Sequence, residues 1–347
     1  MTSKRMIVGI GTYEHAIFTL VIVSNKEGKR FRVISGYSPH ISAVTSMCCC
    51  GKTGLLVSGS SDETMRVYDL SRRVESGRID HHSATVSGLA ITADGAHVLS
   101  CADGESDSSI CIWRTSDWEP LRSIPSAHSR GVTSLALHPS GRVAVSLGRD
   151  GKLKMWDLTK AKLVCSSAAP SMASSLAWDS AGAFFVVGAA SSVVVHHMGS
   201  TSKTKTKTIE MSNSVTSVTS VGAGLIAAGC VNGIVVVWNV AEEKCIVTLD
   251  GHKARVKAMC WIGNKTELFE CGCCVDVDVD ACAGVLVTTS TDGLVSLWNC
   301  SNWKLITSKD LHSRINCVTC SVVNGDLPEE PIDEEEEEEE DNEEIQK

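Results

Sequence analysis

The sequence predicts an all-β fold in which seven four-stranded sheets form a closed ring, a β-propeller. Three observations lead to this prediction. A pattern of about 40 residues recurs along the chain, each copy alternates short apolar strands with turn residues, and additional strand-like segments stand at both chain ends. A repeat of about 40 to 45 residues is the length of one four-stranded blade.

Each copy of the pattern begins with a histidine and closes with an aspartate and an aromatic residue six positions later. The complete copies are His40–Asp62–Tyr68, His82–Asp107–Trp113, His128–Asp150–Trp156 and His252–Asp292–Trp298. Two degraded copies end at Trp238 and at His196 or His197. The closing positions are 45, 43, about 40, about 42 and 60 residues apart. This spacing is typical of the WD repeat.

The two chain ends supply the seventh blade. Residues 5–11, 16–23 and 31–35 have the composition of three strands, and residues 315–323 that of one. We therefore predict that the last strand pairs with the N-terminal strands. Such pairing closes the ring and leaves no open sheet edge between the first and last blades.

The chain divides into a propeller and an acidic tail. The propeller is expected over residues 1–325, with an insertion at about 264–283 that lengthens the sixth repeat. Residues 326–347 contain 14 acidic residues and one lysine, so that segment carries a charge of −13 and the rest of the chain +4. A run of seven glutamates repels itself and has no apolar side chains to bury, so the tail is expected to be disordered.

The recurring polar residues predict a structural network. In this repeat the histidine, a strand hydroxyl, the turn aspartate and the aromatic residue can form a buried hydrogen-bonded set in which each group satisfies another. The predicted sets are His40, Ser60, Asp62 and Tyr68; His252, Ser290, Asp292 and Trp298; and His128, Asp150 and Trp156, where Gly148 takes the serine position. A catalytic relay is the alternative, but a catalytic set would occur once.

Four arginines flank these histidines and aspartates, on loops expected at the upper face of the ring. They are Arg130, Arg149, Arg255 and Arg314. We expect them to bind an acidic protein segment or RNA phosphate, because the guanidinium grips either group with two hydrogen bonds. The alternative is that they are solvated loop charges. Lys203, Lys205 and Lys207 alternate with threonine, which suits either nucleic-acid contact or the guarding of an edge strand against aggregation.

The insertion contains the residues that most resemble a metal site. Its candidate ligands are Cys271, Cys273, Cys274, Asp276, Asp278, Asp280 and Cys282. Their spacing fits neither the paired Cys-x-x-Cys of zinc sites nor the glycine and terminal glutamate of a calcium loop. We expect no metal and no cofactor. Cys317 and Cys320 should point to opposite faces of their strand, which argues against a redox motif.

The N-terminal region lacks a signal peptide, and its longest apolar run, residues 16–23, is too short to span a membrane. A soluble intracellular protein without membrane contacts is therefore expected. In that compartment thiols stay reduced, so all 16 cysteines are expected to be free.

Several strings are more particular than the repeat requires. They are residues 13–20, 59–69, 80–89, 109–128 and 131–158, and they include the doubled His81–His82 and the Trp118 that follows Trp113. In these strings the chain resembles the p21-activated-kinase-interacting WD-repeat proteins, the family that includes the maintenance-of-killer WD proteins. The resemblance is strongest over residues 55–160 and continues weakly to about 320.

The resemblance implies a nuclear, mainly nucleolar, assembly factor for the large (60S) ribosomal subunit, with a cytoplasmic pool allowed. Its expected partners are pre-60S proteins and rRNA, and it would act as a monomer within a larger complex. Some family members are also described as binding and restraining a p21-activated kinase. The acidic tail departs from the lysine-rich tail usual in the family, which leaves the import route open.

Other functions compete with this expectation. The acidic tail also suits a chaperone or chromatin adaptor that binds histones or other basic proteins. A substrate receptor for a ubiquitin ligase needs few docking residues and stays open. An enzyme would need polar residues that converge on one site, and the sequence contains no Gly-rich phosphate loop, His-Glu-x-x-His or Gly-x-Ser-x-Gly motif. We therefore predict a scaffold without catalytic activity.

Overall fold

The computed structural model describes residues 4–25, 28–199, 205–222, 224–263 and 284–324. These residues form 28 β-strands in seven four-stranded antiparallel sheets, which confirms the predicted seven-bladed propeller. None of the described elements is a helix with the length and hydrophobicity that crossing a bilayer requires. The insertion at 264–283 and the tail at 326–347 lie outside the described residues, so the expectations for them stay predictions.

The strands follow one another in chain order around the ring. The first three are β1 (Lys4–Thr12), β2 (Ile17–Asn25) and β3 (Gly28–Tyr37). Blade 1 contains β4 (Val44–Cys50), β5 (Leu55–Ser60), β6 (Thr64–Asp69) and β7 (Val74–Asp80). Blade 2 contains β8 (Thr85–Ile91), β9 (His97–Asp103), β10 (Ile110–Arg114) and β11 (Pro120–Ile124). Blade 3 contains β12 (Val132–Leu137), β13 (Val143–Gly148), β14 (Lys152–Asp157) and β15 (Lys162–Ala168).

The second half continues in the same way. Blade 4 contains β16 (Ser175–Trp178), β17 (Phe184–Gly188), β18 (Ser192–His197) and β19 (Lys205–Glu210). Blade 5 contains β20 (Val215–Ser220), β21 (Leu225–Cys230), β22 (Ile234–Asn239) and β23 (Lys244–Asp250). Blade 6 contains β24 (Val256–Ile262), β25 (Val285–Ser290), β26 (Leu294–Asn299) and β27 (Leu305–Asp310), and the last strand is β28 (Ile315–Asn324).

Blade 7 joins the two ends of the chain. Its strand order is β28–β1–β2–β3, with β28 innermost. Strands β1 and β28 pair from Lys4 opposite Asn324 to Thr12 opposite Ile315. This pairing confirms the closure that the terminal segments predicted, and no sheet edge is left between blades 6 and 1.

The core lies between adjacent blades. The second strand of each blade is packed on both faces, as in β13, where Ala144, Val145 and Leu147 are all buried. The outermost strand of the same blade, β15, is exposed along its whole length. This gradient explains why the second strands have nearly continuous apolar sequences, whereas the outer strands are mixed.

One expectation about the cysteines is wrong. A disulfide joins Cys260 of β24 to Cys320 of β28, with Cα atoms 6.2 Å apart. The two residues are 60 positions apart in the chain, and only the closed ring places β24 beside β28. Cys317 faces the other way and donates to the carbonyl of Val44 in blade 1. This opposite orientation is the one that strand alternation predicted. The other described cysteines are free.

We predict that the Cys260→Ser/Cys320→Ser double variant is less stable than the wild type by about 2–4 kcal/mol, because the disulfide restrains the unfolded chain. Urea unfolding with and without dithiothreitol measures this difference. The reductant should lower the midpoint of the wild type and leave that of the double variant unchanged. A wild-type midpoint that does not respond to the reductant would contradict the prediction.

Candidate functional site

The upper face of the ring is the end where the innermost strands begin, and it carries the histidine loops. At its centre the channel opens into a cavity of about 520 Å³ lined by residues from all seven blades. Ten of these residues are serines or threonines: Thr45, Ser61, Thr85, Ser87, Thr133, Ser134, Ser174, Ser175, Thr216 and Ser217. The surface at the centre is therefore polar and mostly uncharged, apart from Asp103 and Lys257.

In blades 1, 2 and 3 a buried histidine lies between a carboxylate and a hydroxyl. The Nδ1 atom is 2.8–2.9 Å from the carboxylate, and the Nε2 atom is 2.7–2.8 Å from the hydroxyl oxygen. The three sets are His40–Ser58–Asp62, His82–Ser100–Asp107 and His128–Ser146–Asp150. In blades 2 and 3 the indole N–H groups of Trp113 and Trp156 donate to the same serines, at 2.9 and 2.8 Å.

The order of protons in this network follows from the chemistry of its members. An indole N–H can only donate, so the serine oxygen accepts from it. The serine O–H then donates to Nε2 of the histidine, and the Nδ1–H donates to the aspartate. The imidazole is therefore neutral. Burial is the largest effect on His82 and His128, and it lowers the pKa of both side chains.

The turn aspartates are ionised. Burial by itself would raise the pKa of Asp62, but hydrogen bonds from Thr64 and from the backbone N–H of Ile41 outweigh it and lower the pKa to about 2. Asp107 behaves in the same way: bonds from Ser109 and His82 outweigh burial and bring its pKa to about 2. Each carboxylate thus ties the histidine loop to the turn of its own blade.

The predicted hydroxyl positions are wrong by two residues. Ser58 contacts His40, whereas Ser60 donates to the carbonyl of Ser42. In blade 6 the corresponding residue is Thr288, and Ser290 instead accepts from the N–H of Asp292. Blade 3 has its hydroxyl after all, at Ser146.

The reach of the aromatic side chain explains this shift. Trp156 is paired with Ala144 across the sheet, but its indole nitrogen extends along the strand to Ser146. Ser58 and Ser60 are on the same face of β5, because side chains alternate along a strand. The sequence pattern by itself therefore does not distinguish the two serines.

The hydrogen-bonded set in blade 6 lacks the bond between the histidine and the aspartate. His252 and Trp298 both bond to the Thr288 hydroxyl, at 2.8 and 2.9 Å. The Nδ1 atom of His252 has no hydrogen-bond partner among the described residues. The Asp292 carboxylate instead accepts from the backbone N–H of Lys253.

Blades 4 and 5 contain no such network within the described residues. In blade 4 the aromatic position belongs to His196, which is buried and stacks on Phe185 with ring centroids 4.7 Å apart. In blade 5 the buried indole nitrogen of Trp238 has no partner among the described residues. These are the two copies that the sequence identified as degraded, and apolar contacts between β17, β18 and β20–β22 hold them together.

The residue after the aromatic position has a separate role. Asp157 accepts hydrogen bonds from the backbone N–H groups of Thr159 and Lys160, and Asn239 does so from Ala241 and Glu242. These bonds cap the turn that leads to the outer strand. The aromatic residue thus belongs to the buried network, and the Asp or Asn that follows it stabilises the turn. Each residue of the Trp-Asp pair that gives the WD repeat its letters therefore has its own role.

The four arginines that the sequence analysis selected all lie on the upper face, but they differ in whether a carboxylate partner engages them. Arg149 makes a two-point ion pair with Asp103 of blade 2, at 2.6 Å for each bond. Arg314 bonds to Glu14 at 3.0 Å and lies 5.3 Å from the Tyr13 ring. Arg130 and Arg255 are exposed, and neither forms an ion pair with a described residue.

The lysine-rich strand lies at the rim. Strand β19 is the outermost of blade 4 and pairs only with β18. The Lys207 ammonium donates to the carbonyl of Val240 at 2.9 Å and is 2.9 Å from the Glu243 carboxylate. This lysine therefore ties blade 4 to blade 5. Lys203 lies outside the described residues.

The burial of the histidines is relevant to the alternative in which these sets form a catalytic relay. The histidine side chains in blades 1, 2 and 3 are 0–1% exposed, so a substrate has no access to their nitrogens. Each also has both ring nitrogens engaged within its own blade. Among the described residues, no group of three or more His, Cys, Asp or Glu is placed to hold a metal ion.

We predict that Ser146→Ala destabilises the protein by about 2 kcal/mol, because it leaves the buried His128 Nε2 and Trp156 N–H without partners. Ser296→Ala is the matched control. Ser296 is 1% exposed and its hydroxyl has no hydrogen-bond partner among the described residues. Chemical denaturation should show the loss for Ser146→Ala alone, and equal stability of the two variants would contradict the network.

We predict that stability falls as the pH is lowered from 7.5 to 5.5. Burial lowers the folded-state pKa of His40, His82, His128 and His252 below the unfolded value of about 6.5. The unfolded chain therefore binds more protons, and stability present above pH 6.5 is lost as the pH falls toward the folded-state values. The lowered pKa values of Asp62 and Asp107 add a separate loss only between about pH 4 and 2.

Unfolding free energies measured across this range test the histidine effect. His128→Gln should show a shallower pH dependence than the wild type. Ser296→Ala, which changes a buried hydroxyl and no ionisable group, is the control and should keep the wild-type slope. A wild-type stability that does not change between pH 7.5 and 5.5 would contradict the prediction.

Comparison with known proteins agrees with the fold and with the resemblance found in the sequence. A p21-activated protein kinase-interacting protein 1-like protein of Danio rerio is 29% identical over 90% of this chain and 79% of its own length. Shk1 kinase-binding protein 15 of Schizosaccharomyces pombe is 25% identical over 94% of this chain and 87% of its own length. Protein MAK11 of Saccharomyces cerevisiae is 23% identical, with coverages of 89% and 81%.

The family model for the WD domain, G-beta repeat, matches residues 31–69, 74–114, 118–157 and 243–299. The stretch without a match at 158–242 includes blade 4 and the first three strands of blade 5, the two blades in which the described residues form no polar network. The matched segments cover just over half of the chain. The chain therefore belongs to the WD domain, G-beta repeat family.

Proposed function

We propose that the protein is a non-catalytic scaffold whose upper face holds partner proteins or RNA in fixed relative positions. The observation that carries this proposal is the mouth of the central channel, to which all seven blades contribute. Because a closed ring holds these loops in place, a partner that docks there loses little conformational entropy of the loops.

Two roles are proposed for this scaffold. The sequence strings shared with the maintenance-of-killer proteins support assembly of the large ribosomal subunit in the nucleolus. The names of two similar proteins refer to kinase binding, which supports binding of a p21-activated kinase as a second role. Restraint of that kinase is part of the proposal only through the family resemblance. The protein would act as one copy within a larger particle.

Within this proposal, Arg130 and Arg255 supply the charged contacts. Both are exposed and neither has a carboxylate partner among the described residues. A free guanidinium binds a carboxylate or a phosphate with two parallel hydrogen bonds. Arg149 and Arg314 contribute less charge, because Asp103 and Glu14 already neutralise them.

Affinity purification of the tagged protein from cell extract, with and without ribonuclease, tests the proposal. We expect large-subunit precursors in the eluate, reduced at least fivefold by Arg130→Glu/Arg255→Glu with no change in melting temperature. Arg142→Glu is the control, because Arg142 is exposed at the opposite end of β12 and β13. Arg149 is left intact, since a glutamate there would face Asp103.

The acidic tail favours a second candidate, a chaperone or chromatin adaptor for histones or other basic proteins. Its 14 acidic residues attract basic chains over a long range at low salt. Deletion of residues 326–347 separates the two functions. Recovery of histones that depends on the tail, without large-subunit precursors, would overturn ribosome assembly in favour of this candidate.

A further inference from the structure

A set of hydrogen bonds at the upper end of the channel links most neighbouring blades. Near the start of an inner strand, a hydroxyl or amide donates to the carbonyl of the first or second residue of the next inner strand. The donors and acceptors are Thr45 to Val86, Ser87 to Val132, Thr216 to Val256 and Asn316 to Val44. These bonds hold the upper ends of the blades together.

No such bond joins blades 4 and 5 or blades 6 and 7 among the described residues, and none joins blades 3 and 4. The corresponding hydroxyl, that of Thr133, donates to the carbonyl of Leu147 within blade 3. Blades 3 and 4 are tied at the lower end instead, where the Trp178 indole donates to the carbonyl of Ala136 and His138 Nε2 lies 3.3 Å from the carbonyl of Gly182. Their upper ends can therefore stand apart.

A groove of about 440 Å³ opens at this position. Its lining combines the aliphatic residues Leu147, Pro170, Met172 and Ala173 with the charged residues Arg130 and Arg149. The Met172 side chain is 79% exposed, among the most exposed of the large apolar residues. A long aliphatic side chain left in water beside an open groove marks a surface suited to a partner.

The backbone at Met172 is left-handed, as it is at nine other described residues that are not glycine. The loop at 169–174 replaces the histidine loop of the other blades, and Met172 stands where blade 3 has Gly131. Gly131 has φ of 109°, and Met172 has φ of 54°. A left-handed conformation costs an L-residue about 1–2 kcal/mol. Such strain concentrates at functional sites, where it fixes the direction of a side chain.

The charge of the groove selects its occupant. None of the lining residues is acidic. The two nearest carboxylates, those of Asp103 and Asp150, are only 12% and 7% exposed and are engaged by Arg149 and His128. Arg149 is 61% exposed but paired with Asp103, so the charge without an ion-pair partner among the lining residues is that of Arg130. The lining contains no aromatic ring on which a nucleic-acid base could stack, which favours a peptide over RNA.

We propose that the groove between blades 3 and 4 docks an extended acidic segment of a partner protein. One carboxylate binds Arg130, Arg149 is held in position by Asp103 beside it, and an aliphatic side chain packs on Met172 and Pro170. This proposal rests on the scaffold function above and adds a specific site and a peptide class, distinct from the central channel.

Fluorescence anisotropy tests the proposal with the full chain and three labelled twelve-residue peptides. The first peptide is rich in Asp and Glu with two central leucines. In the second, serine replaces the leucines, and in the third, glutamine replaces the acidic residues. We expect the first peptide to bind at least tenfold more tightly than either of the others.

Matched variants locate the binding. Arg130→Glu and Met172→Ser should each weaken binding of the first peptide about tenfold. The controls, Arg142→Glu in blade 3 and Met198→Ser in blade 4, change the same residue types at the lower end of the same blades and should bind as the wild type does. Equal binding by Met172→Ser and Met198→Ser would overturn the proposal.

Two further outcomes would also overturn it. If single-stranded RNA displaces the peptide and itself loses affinity in Arg130→Glu, the groove is a nucleic-acid site. If the peptide binds only after deletion of residues 326–347, the groove belongs to the acidic tail of the same chain. The affinity purification described above tests the scaffold function separately from this groove. If the scaffold function uses the mouth of the channel, Met172→Ser should leave the ribonuclease-sensitive co-purification unchanged.

Discussion

The pairing of β1 with β28 is the constraint on which the other features of the ring depend. Each blade buries its two faces against its neighbours, so an opening in the ring would expose two apolar surfaces at once. The nine paired positions from Lys4–Asn324 to Thr12–Ile315 prevent this. The disulfide between Cys260 and Cys320 reinforces the same junction, because it ties the closing strand to blade 6.

Once the ring is closed, the blades are organised in two different ways. Blades 1, 2 and 3 each hold a neutral histidine between a hydroxyl and an ionised aspartate, and this network fixes the histidine loop on the upper face. Blades 4 and 5 rely on apolar packing, as in the stacking of His196 on Phe185. The loop before blade 4 therefore does not follow the histidine pattern of the repeat, and Met172 in this loop projects into solvent.

This asymmetry has a functional consequence. A ring of identical blades would present the same loop seven times and would have little means of distinguishing partners. Loss of the polar network before blade 4 coincides with the absence of the upper inter-blade hydrogen bond at Thr133 and with the groove beside Arg130. The regular blades form the rigid frame of the ring, and the irregular loop before blade 4 makes the surface beside Arg130 different from the rest of the upper face.

Most of the fold could be predicted from sequence, because a propeller blade is a local unit. The His–Asp–aromatic spacing identified the blades, the strand-like chain ends identified the shared seventh blade, and the degraded copies marked the blades without a network. The details that failed depend on side-chain reach. Ser58 and Ser60 share a face of one strand, and only the position of the His40 ring in the folded blade decides which of them it meets.

The sequence by itself determined the all-β ring, its seven blades and its closure, because these follow from patterns within about 45 residues and from the composition of the two ends. The tertiary structure alone decided which arginines are neutralised, that Cys260 meets Cys320, and that a groove opens between blade 3 and the loop at 169–174. Each of these depends on contacts between blades, where residues distant in the chain meet at distances that no sequence spacing encodes.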